Sequence, residues 1–144
     1  EEILEDIALN ASKAANKLLG YSKIALLSFS TLASGEGDSV KMVRSVSESL
    51  NQKGLDVYGP IQGDAAVVNS IAKLKGINYE GNLNVFIFPS LDAGNIAYKL
   101  CQNLGGFKSL GPFLQGFKKP VCDLSRGAST EDIISSSLLT LASI

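Results

Sequence analysis

The chain has 144 residues, of which 45% are hydrophobic, and its formal net charge is -1. This length and hydrophobic content suffice for one globular domain with a buried core, and the near-neutral charge argues against nucleic acid as the main partner. No apolar run reaches the ~20 residues that span a bilayer. The absence of His excludes Ser-His-Asp catalysis and His-based metal sites within this chain.

The two cysteines, Cys101 and Cys122, lie far apart in the sequence and in apolar settings. This pattern predicts buried free thiols and no disulfide, which suits the reducing cytosol. We therefore expect a cytoplasmic protein.

The apolar spacing along the chain predicts an alternation of helices and strands. Helices are predicted at about 1–19, 39–52, 65–75, 93–104 and 129–142, and strands at 23–29, 55–58, 83–88, 110–116 and 119–124. Residues 23–29 are too uniformly apolar for a half-exposed strand, so we expect a central parallel strand buried on both faces. The alternation predicts an α/β fold, a single unit over 1–144 with a mainly parallel, doubly wound sheet and helices on both faces.

Two loops carry further expectations about where elements begin and end. The strand over 55–58 is expected to end at Gly59-Pro60. Asp64 fits the N-cap of the next helix, and Asp92 fits the N-cap of the helix over 93–104. The inward side chains of the helix over 65–75 are predicted to be Ala66, Val67, Ile71 and Leu74.

The predicted strand over 119–124 leads into Ser125-Arg126-Gly127, and a helix opens behind this turn near Ser129. Free backbone N–H groups at such a turn, together with the helix dipole, bind anions in open α/β sheets. Arg126 adds a permanent cation whose planar donors match phosphate or carboxylate oxygens, and Gly127 lets the backbone approach a ligand closely. The same residues are equally compatible with an ordinary strand-to-helix turn and a solvated arginine.

The stretch from Asp123 to Asp132 resembles the C-terminal signature of phosphate acetyltransferases (phosphotransacetylases) and their butyryl relatives. The resemblance rests on Asp123-Leu-Ser-Arg-Gly127, Ser129 and Glu131-Asp132, and it continues in family order through Leu110-Gly-Pro112, Gln115-Gly116, Lys119-Pro120, Phe88-Pro-Ser-Leu-Asp-Ala-Gly-Asn-Ile-Ala-Tyr-Lys99, Gln62-Gly-Asp-Ala-Ala66 and Leu27-Ser-Phe-Ser-Thr31. These blocks cover nearly the whole chain. The resemblance implies a fold similar to that of isocitrate and isopropylmalate dehydrogenases.

The resemblance also implies a reaction, the reversible transfer of an acetyl group between acetyl-CoA and inorganic phosphate, which gives acetyl phosphate and CoA. The CoA thiol attacks directly, so no covalent nucleophile is required. CoA is therefore a substrate and not a tightly bound cofactor. Family members are homodimers, and we expect a homodimer here, with no metal at the site and no nucleic acid or membrane partner.

The family motif assigns roles to residues of the turn and of the helix behind it. Ser125 and Arg126 would bind the phosphoryl oxygens and stabilise developing negative charge, with Gly127 beside them, and Asp132 would be the general base for the thiol. Ser129-Thr-Glu-Asp132 also fits a capping box, in which Ser129 caps the helix and the acid three residues later binds back to it. The two roles of Asp132 can coexist.

Polar residues after two other predicted strands complete the expected site. Ser28, Ser30 and Thr31 stand where the strand over 23–29 ends, at the sheet edge where ligands bind, and they are candidates to donate to a phosphate or pantetheine group. Asn95 is a candidate donor after the strand over 83–88. The alternative is that the hydroxyl groups cap the helix over 39–52 and bind no ligand.

The chain differs from the family pattern in one respect, because family members carry another domain ahead of this region that supplies further arginines to the site. Since the chain begins at Glu1 without Met, it looks like the C-terminal part of such an enzyme. The resemblance implies that residues 111–144 return to pack on the absent domain, which would place Ser125 and Arg126 at an interdomain cleft. We therefore expect this chain alone to be nearly inactive.

Three alternatives to an acetyltransferase stay open: a phosphate butyryltransferase, a domain that binds acetyl-CoA as a regulator without catalysis, as in some malic enzymes, and a dimerisation module. The intact Ser125-Arg126-Gly127 and Asp132 favour catalysis over regulation. The dimerisation hypothesis depends on a helix face rich in alanine, formed by Ala8, Ala11, Ala14 and Ala15.

Overall fold

The computed structural model describes all 144 residues as six helices and five strands. The helices are α1 (Glu2–Leu19), α2 (Asp38–Gln52), α3 (Gly63–Val67), α4 (Asn69–Leu74), α5 (Leu91–Gly105) and α6 (Thr130–Ala142), and the strands are β1 (Ile24–Leu27), β2 (Val57–Ile61), β3 (Val85–Ile87), β4 (Phe113–Leu114) and β5 (Val121–Cys122). Their order follows the predicted alternation, except that one predicted helix is divided. None of the helices combines the length and apolar character needed to cross a membrane.

The chain forms two compact units, Glu1–Gly94 and Asn95–Ile144, where the sequence led us to expect one. The boundary falls within α5. The two strands of the second unit pair only with each other, so they do not extend the sheet of the first unit. The expected packing of residues 111–144 against a further domain stays a prediction.

The first unit is built on a parallel sheet of three strands in the order β2-β1-β3. Ile24 lies opposite Val57 on one side and opposite Val85 on the other. All four residues of β1 are buried, which confirms the central parallel strand predicted from its unbroken apolar run.

Side chains of β1 point alternately to the two faces of this sheet. Ile24 and Leu26 pack in one apolar cluster with buried residues of α1 and α2. Ala25 and Leu27 pack in a second cluster with buried residues of α3 and α4. Helices therefore cover both faces, and the predicted α/β arrangement is confirmed.

The alanine-rich face of α1 is part of the first cluster. Ala8 and Ala15 are buried in this cluster, and Ala11 packs against it. Most of this face is therefore used inside the unit, so it does not supply the open surface that the dimerisation hypothesis required.

The predicted helix over 65–75 was wrong in its bounds and in two of its four inward residues, whereas Ala66 is buried and Ile71 packs against the second cluster, as predicted. Val68 adopts an extended conformation (φ -123°, ψ 102°) and divides the segment into α3 and α4. This break changes the helical phase, so Val67 and Leu74 are 67% and 88% exposed. The buried side chains are the alanines Ala65, Ala66 and Ala72.

Strand β2 does not end at Gly59-Pro60, as predicted, but continues to Ile61. It pairs only with β1 and has a free edge, where a proline without an N–H group costs no ladder hydrogen bond. A side chain at Gly59 would bring its Cβ within 2.6 Å of the Cβ of Leu26. The close approach of β2 to β1 therefore requires glycine at this position.

The second unit contains the last part of α5, an antiparallel pair of strands and α6. Phe113 of β4 lies opposite Cys122 of β5, and Val121 and Leu124 are partly exposed. A strand forms within the predicted range 119–124, but it is shorter than predicted and its expected burial was wrong, because β5 pairs with β4 alone and is not enclosed in a sheet. Cys101 is exposed and Cys122 half-buried, so the thiols are free, as predicted, but not buried.

Candidate active site

The second unit contains a cavity of about 300 Å³ between α5, the segment 109–112, the turn after β5 and the first half of α6. Three of the predicted site residues line it, namely Ser125, Gly127 and Asp132. Helix α5 adds Tyr98, Lys99 and Gln102. The cavity therefore lies beside the turn Ser125-Arg126-Gly127 and is lined by residues from both α5 and α6.

Local hydrogen bonds shape the turn that follows β5. The carboxylate of Asp123 accepts from the N–H of Leu124 (2.8 Å), and the N–H of Ala128 donates to the carbonyl of Ser125 (3.0 Å). The backbone N–H groups of Ser125, Arg126 and Gly127 make no hydrogen bond within the chain. These three donors are therefore available to an anion.

Helix α6 begins with a complete capping box. The hydroxyl of Ser129 accepts from the N–H of Asp132 (3.2 Å), and the carboxylate of Asp132 accepts from both the N–H (2.9 Å) and the hydroxyl (2.8 Å) of Ser129. The two bonds that the carboxylate accepts from the N–H and the hydroxyl of Ser129 hold the pKa of Asp132 below its ordinary value, and the charge of Lys108 makes a smaller contribution. The predicted cap is confirmed, and the role of Asp132 as a base stays a prediction.

Arg126 does not line the cavity with its neighbours. Its side chain is exposed and makes no ion pair or hydrogen bond within the chain. The donors of the guanidinium group are therefore free to bind a ligand, as the predicted role of Arg126 requires.

The charged side chains that line the cavity are Lys99 and Asp132. The sequence argument assigned no role to Lys99, although it belongs to one of the family blocks. Its ammonium group lies 5.1 Å from the ring centroid of Tyr98, a distance at which the ring holds a cation. The sequence contains one indication of this role: Lys99 and Gln102 are three residues apart and therefore lie on the same face of the helix.

Ser136 also lines the cavity, and sequence reasoning did not anticipate it. It lies one helical turn after Asp132 and is buried, and its hydroxyl has no hydrogen-bond partner. Its spacing of four residues from Asp132 places both side chains on the same face of α6.

Ser28, Ser30 and Thr31 lie in the first unit, in the loop after β1. Ser30 and Thr31 are buried. The hydroxyl of Ser30 accepts from the N–H of Gly35 (2.9 Å), and the hydroxyl of Ser28 accepts from the N–H of Ser30 (3.2 Å). The alternative role was wrong in detail: these hydroxyls hold their own loop, whereas α2 has Gly37 at its N-cap and no side-chain cap.

Thr31 joins a polar network that sequence reasoning did not anticipate. Its hydroxyl donates to the amide oxygen of Gln62 (3.0 Å), and Lys75 donates to the same oxygen (2.9 Å). Lys75 also binds the carboxylate of Asp64 (2.7 Å). Asp64 is therefore not the N-cap of α3, a position held by Gln62, but the partner of a lysine from the end of α4.

Two remaining candidates lie outside the cavity. Asn95 is exposed on α5 and does not line the cavity. Asp92 lies inside the first turn of α5 and not at its N-cap, while the hydroxyl of Ser90 accepts from the N–H of Ala93 (3.2 Å). No group of three or more His, Cys, Asp or Glu side chains is placed to hold a metal ion.

Comparison with known proteins identifies relatives along almost the whole chain. A family model described as phosphate acetyl/butaryl transferase matches residues 1–141. A phosphate acetyltransferase from Staphylococcus epidermidis is 43% identical over 148 residues, which cover 96% of this chain and 45% of that protein. This chain therefore spans less than half the length of that relative.

Two solved structures resemble the fold as a whole. A phosphotransacetylase from Streptococcus pyogenes superposes with a TM-score of 0.85 at 42% identity, covering 97% of this chain and 44% of that one. A branched-chain phosphotransacylase from Enterococcus faecalis superposes with a TM-score of 0.79 at 31% identity, covering 96% and 53%. Sequence and fold agree, and this chain belongs to the phosphate acetyl/butyryl transferase family.

Proposed function

We propose that this chain carries part of the active site of a phosphate acetyltransferase, which transfers an acetyl group reversibly between acetyl-CoA and inorganic phosphate. The observation that supports this most is the cavity in the second unit, where Ser125, Gly127 and Asp132 line one space. The unpaired N–H groups of the turn stand beside it. Donors for an anion and an acceptor for a proton are therefore adjacent.

The reaction toward acetyl-CoA needs one bond to form and one to break. The CoA thiol gives its proton to Asp132, and the sulfur attacks the carbonyl carbon of acetyl phosphate. A C–S bond forms, the bond between the carbonyl carbon and the bridging oxygen breaks, and phosphate leaves with that oxygen and the electron pair. Arg126, Ser125 and the turn N–H groups stabilise the negative charge that grows on the oxygens.

The basicity of Asp132 is the demanding part of this proposal. An ordinary Asp carboxyl and an ordinary thiol differ by about 4 to 5 pH units in pKa, and the capping box lowers the pKa of Asp132 further. Substrate bound over the cavity would remove water from the carboxylate and raise its pKa. We infer that Asp132 gains its basicity only in the loaded site.

The capping bonds of Asp132, which lower its basicity, favour a second candidate function, an acetyl-CoA-binding domain without catalysis. A carboxylate held by Ser129 serves the helix whether or not chemistry follows. Such a domain would bind acetyl-CoA and form no product, so turnover separates it from the first proposal.

The cavity also bears on the acyl group. Its volume of about 300 Å³ is at the lower end of small-molecule sites, which suits a phosphate and a short acyl group with the rest of CoA outside. The relatives named as acetyl transferases are also more similar in sequence than the branched-chain one. We therefore propose acetyl as the preferred group and butyryl as the alternative.

The wider proposal is a cytoplasmic homodimer that uses CoA as a substrate and not as a resident cofactor. The free thiols of Cys101 and Cys122 are compatible with a reducing compartment. Ser28, Ser30, Thr31 and Asn95 stay proposed substrate contacts. For Ser30 and Thr31 this role requires that hydroxyls already bonded to Gly35 and Gln62 also bind substrate.

The decisive experiment measures acetyl-CoA formed from acetyl phosphate and CoA, first with this chain alone and then with the remaining region of a full-length relative added. We expect almost no turnover alone, because the turn offers one arginine for substrates with several charges, and a rise on addition. Butyryl phosphate in parallel sets the acyl preference. Binding of acetyl-CoA with no turnover in either assay would favour the regulatory domain, and absence of both binding and turnover would refute the proposal.

A further inference from the structure

We propose that the hydroxyl of Ser136 binds substrate, donating a hydrogen bond to an oxygen atom of the molecule held in the cavity. This inference rests on the proposed function and adds a contact that the family motif does not include. The motif ends at Asp132, whereas Ser136 lies one turn further along α6.

The first observation is that Ser136 is buried without a partner. The residue is 3% exposed, it is the buried residue of α6, and its hydroxyl oxygen has no hydrogen bond. A buried polar group left unsatisfied is costly and therefore rare in folded proteins. A ligand that supplies the missing hydrogen bond would remove this cost on binding.

The second observation is that two hydroxyls further along the chain, those of Thr140 and Ser143, are bonded to the backbone. Thr140 donates to the carbonyl of Ser136 (2.7 Å), and Ser143 donates to the carbonyl of Leu139 (2.8 Å). Both use the bond to the carbonyl four residues earlier that Ser and Thr commonly make in helices. Ser136 makes no such bond, and it lines the cavity.

The position of Ser136 selects the kind of group it would meet. Ser136 and Asp132 face the same space from one side of α6, and Lys99 contributes a cation to the lining. A ligand oxygen within reach of both Ser136 and Lys99 would accept from two donors, which favours an acceptor at that point of the cavity. Acetyl phosphate offers phosphoryl and carbonyl oxygens, and the pantetheine arm of CoA offers amide carbonyls.

The test compares Ser136→Ala with Ser137→Ala, a matched change at the next residue, which is exposed. Calorimetric titration of this chain, together with the remaining region of a full-length relative, with acetyl phosphate and, separately, with CoA measures each dissociation constant. We expect Ser136→Ala to weaken binding of at least one ligand about 3- to 10-fold, the usual effect of one neutral hydrogen bond. The unfolding temperature of the free protein should stay constant or rise, since alanine removes an unsatisfied hydroxyl.

The outcomes of these titrations distinguish the possible roles of the Ser136 hydroxyl. Weaker binding of acetyl phosphate alone assigns the hydroxyl to the acyl phosphate, and weaker binding of CoA alone assigns it to the pantetheine arm. Equal affinities of the wild type and Ser136→Ala for both ligands would overturn the inference while leaving the proposed function intact. A lower unfolding temperature with unchanged affinity would show a structural hydroxyl, and a wild-type assembly with the added region that binds neither ligand would overturn both proposals.

Discussion

Ser129 and Asp132 hold each other through three hydrogen bonds, two of which end on the same carboxylate oxygen of Asp132. This pair stabilises the start of α6 and, at the same time, lowers the pKa of the carboxyl proposed as the base. The capping role favours the charged carboxylate of Asp132, whereas the proposed base must take up a proton. Mutants of the pair can separate these two roles.

We expect Asp132→Asn to lower kcat about 10²- to 10⁴-fold, the usual loss when a general base is removed. Asparagine keeps the size of the side chain and an oxygen that accepts from Ser129, so the unfolding temperature should change little. Raising the pH should restore part of the rate, because more thiol ionises without help. Near-normal kcat in the active assembly would leave Asp132 as a helix cap alone.

The companion change, Ser129→Ala, tests how far the cap controls the chemistry. It removes the hydroxyl bond to the carboxylate and costs about 1 kcal/mol of stability, as losses of an N-cap usually do. The pKa of Asp132 should rise toward its ordinary value, because the charged form loses one donor. The acidic limb of the kcat–pH profile should then move to higher pH, and an unmoved limb would show that Asp132 does not govern it.

Arg126→Ala should leave the fold intact and weaken phosphate binding at least tenfold. The side chain is exposed and makes no hydrogen bond or ion pair within the chain, whereas a hydrogen bond to a charged ligand is worth about 1.5–3 kcal/mol. Titration with phosphate in an active assembly checks the affinity, and thermal unfolding checks the fold. Unchanged affinity would remove the turn from the anion site.

Gly127→Ala should weaken substrate binding without loss of stability. A Cβ at this position meets no atom of the chain within 4 Å, so only a ligand that approaches the backbone can be obstructed. Gly59→Ala is the contrasting control, since its Cβ would meet Leu26 at 2.6 Å and overpacking of this kind costs about 1–3 kcal/mol. Equal substrate affinity in Gly127→Ala and wild type would show that no ligand approaches this glycine closely.

Acid should weaken the first unit partly through Asp64. Its hydrogen bonds with Lys75, and then with the N–H of Ala65, hold the pKa of Asp64 below its ordinary value. Because the folded-state pKa is the lower one, this stabilisation is complete above the unfolded value of about 4 and is lost as the pH falls through the folded value.

The matched variant for this prediction is Asp64→Asn, compared with wild type by urea denaturation at about pH 7 and about pH 3. The variant should be less stable than wild type near neutrality, and the difference should shrink in acid. Glu5 and Asp132 also have lowered pKa values, but they titrate equally in both proteins. A constant difference at the two pH values would contradict the role of the Asp64–Lys75 pair.

Local patterns in the sequence were sufficient to identify the central strand and the cap of α6. Strand β1 consists of Ile-Ala-Leu-Leu, and an unbroken apolar run has no polar face to expose, so its burial follows from composition alone. The capping box spans the four residues from Ser129 to Asp132 and depends only on two side chains that bind each other's backbone. Neither feature requires knowledge of the rest of the chain.

Tertiary structure decided which distant residues share a space. Lys99 meets Ser125 and Ser136 at one cavity although they are separated along the chain, and Lys75 reaches Gln62 and Asp64 only because Val68 breaks the helix between them. Strands β4 and β5 pair with each other and do not join the parallel sheet. Apolar spacing predicts that a segment is a helix or a strand, but the choice of partner depends on packing between segments that the spacing does not encode.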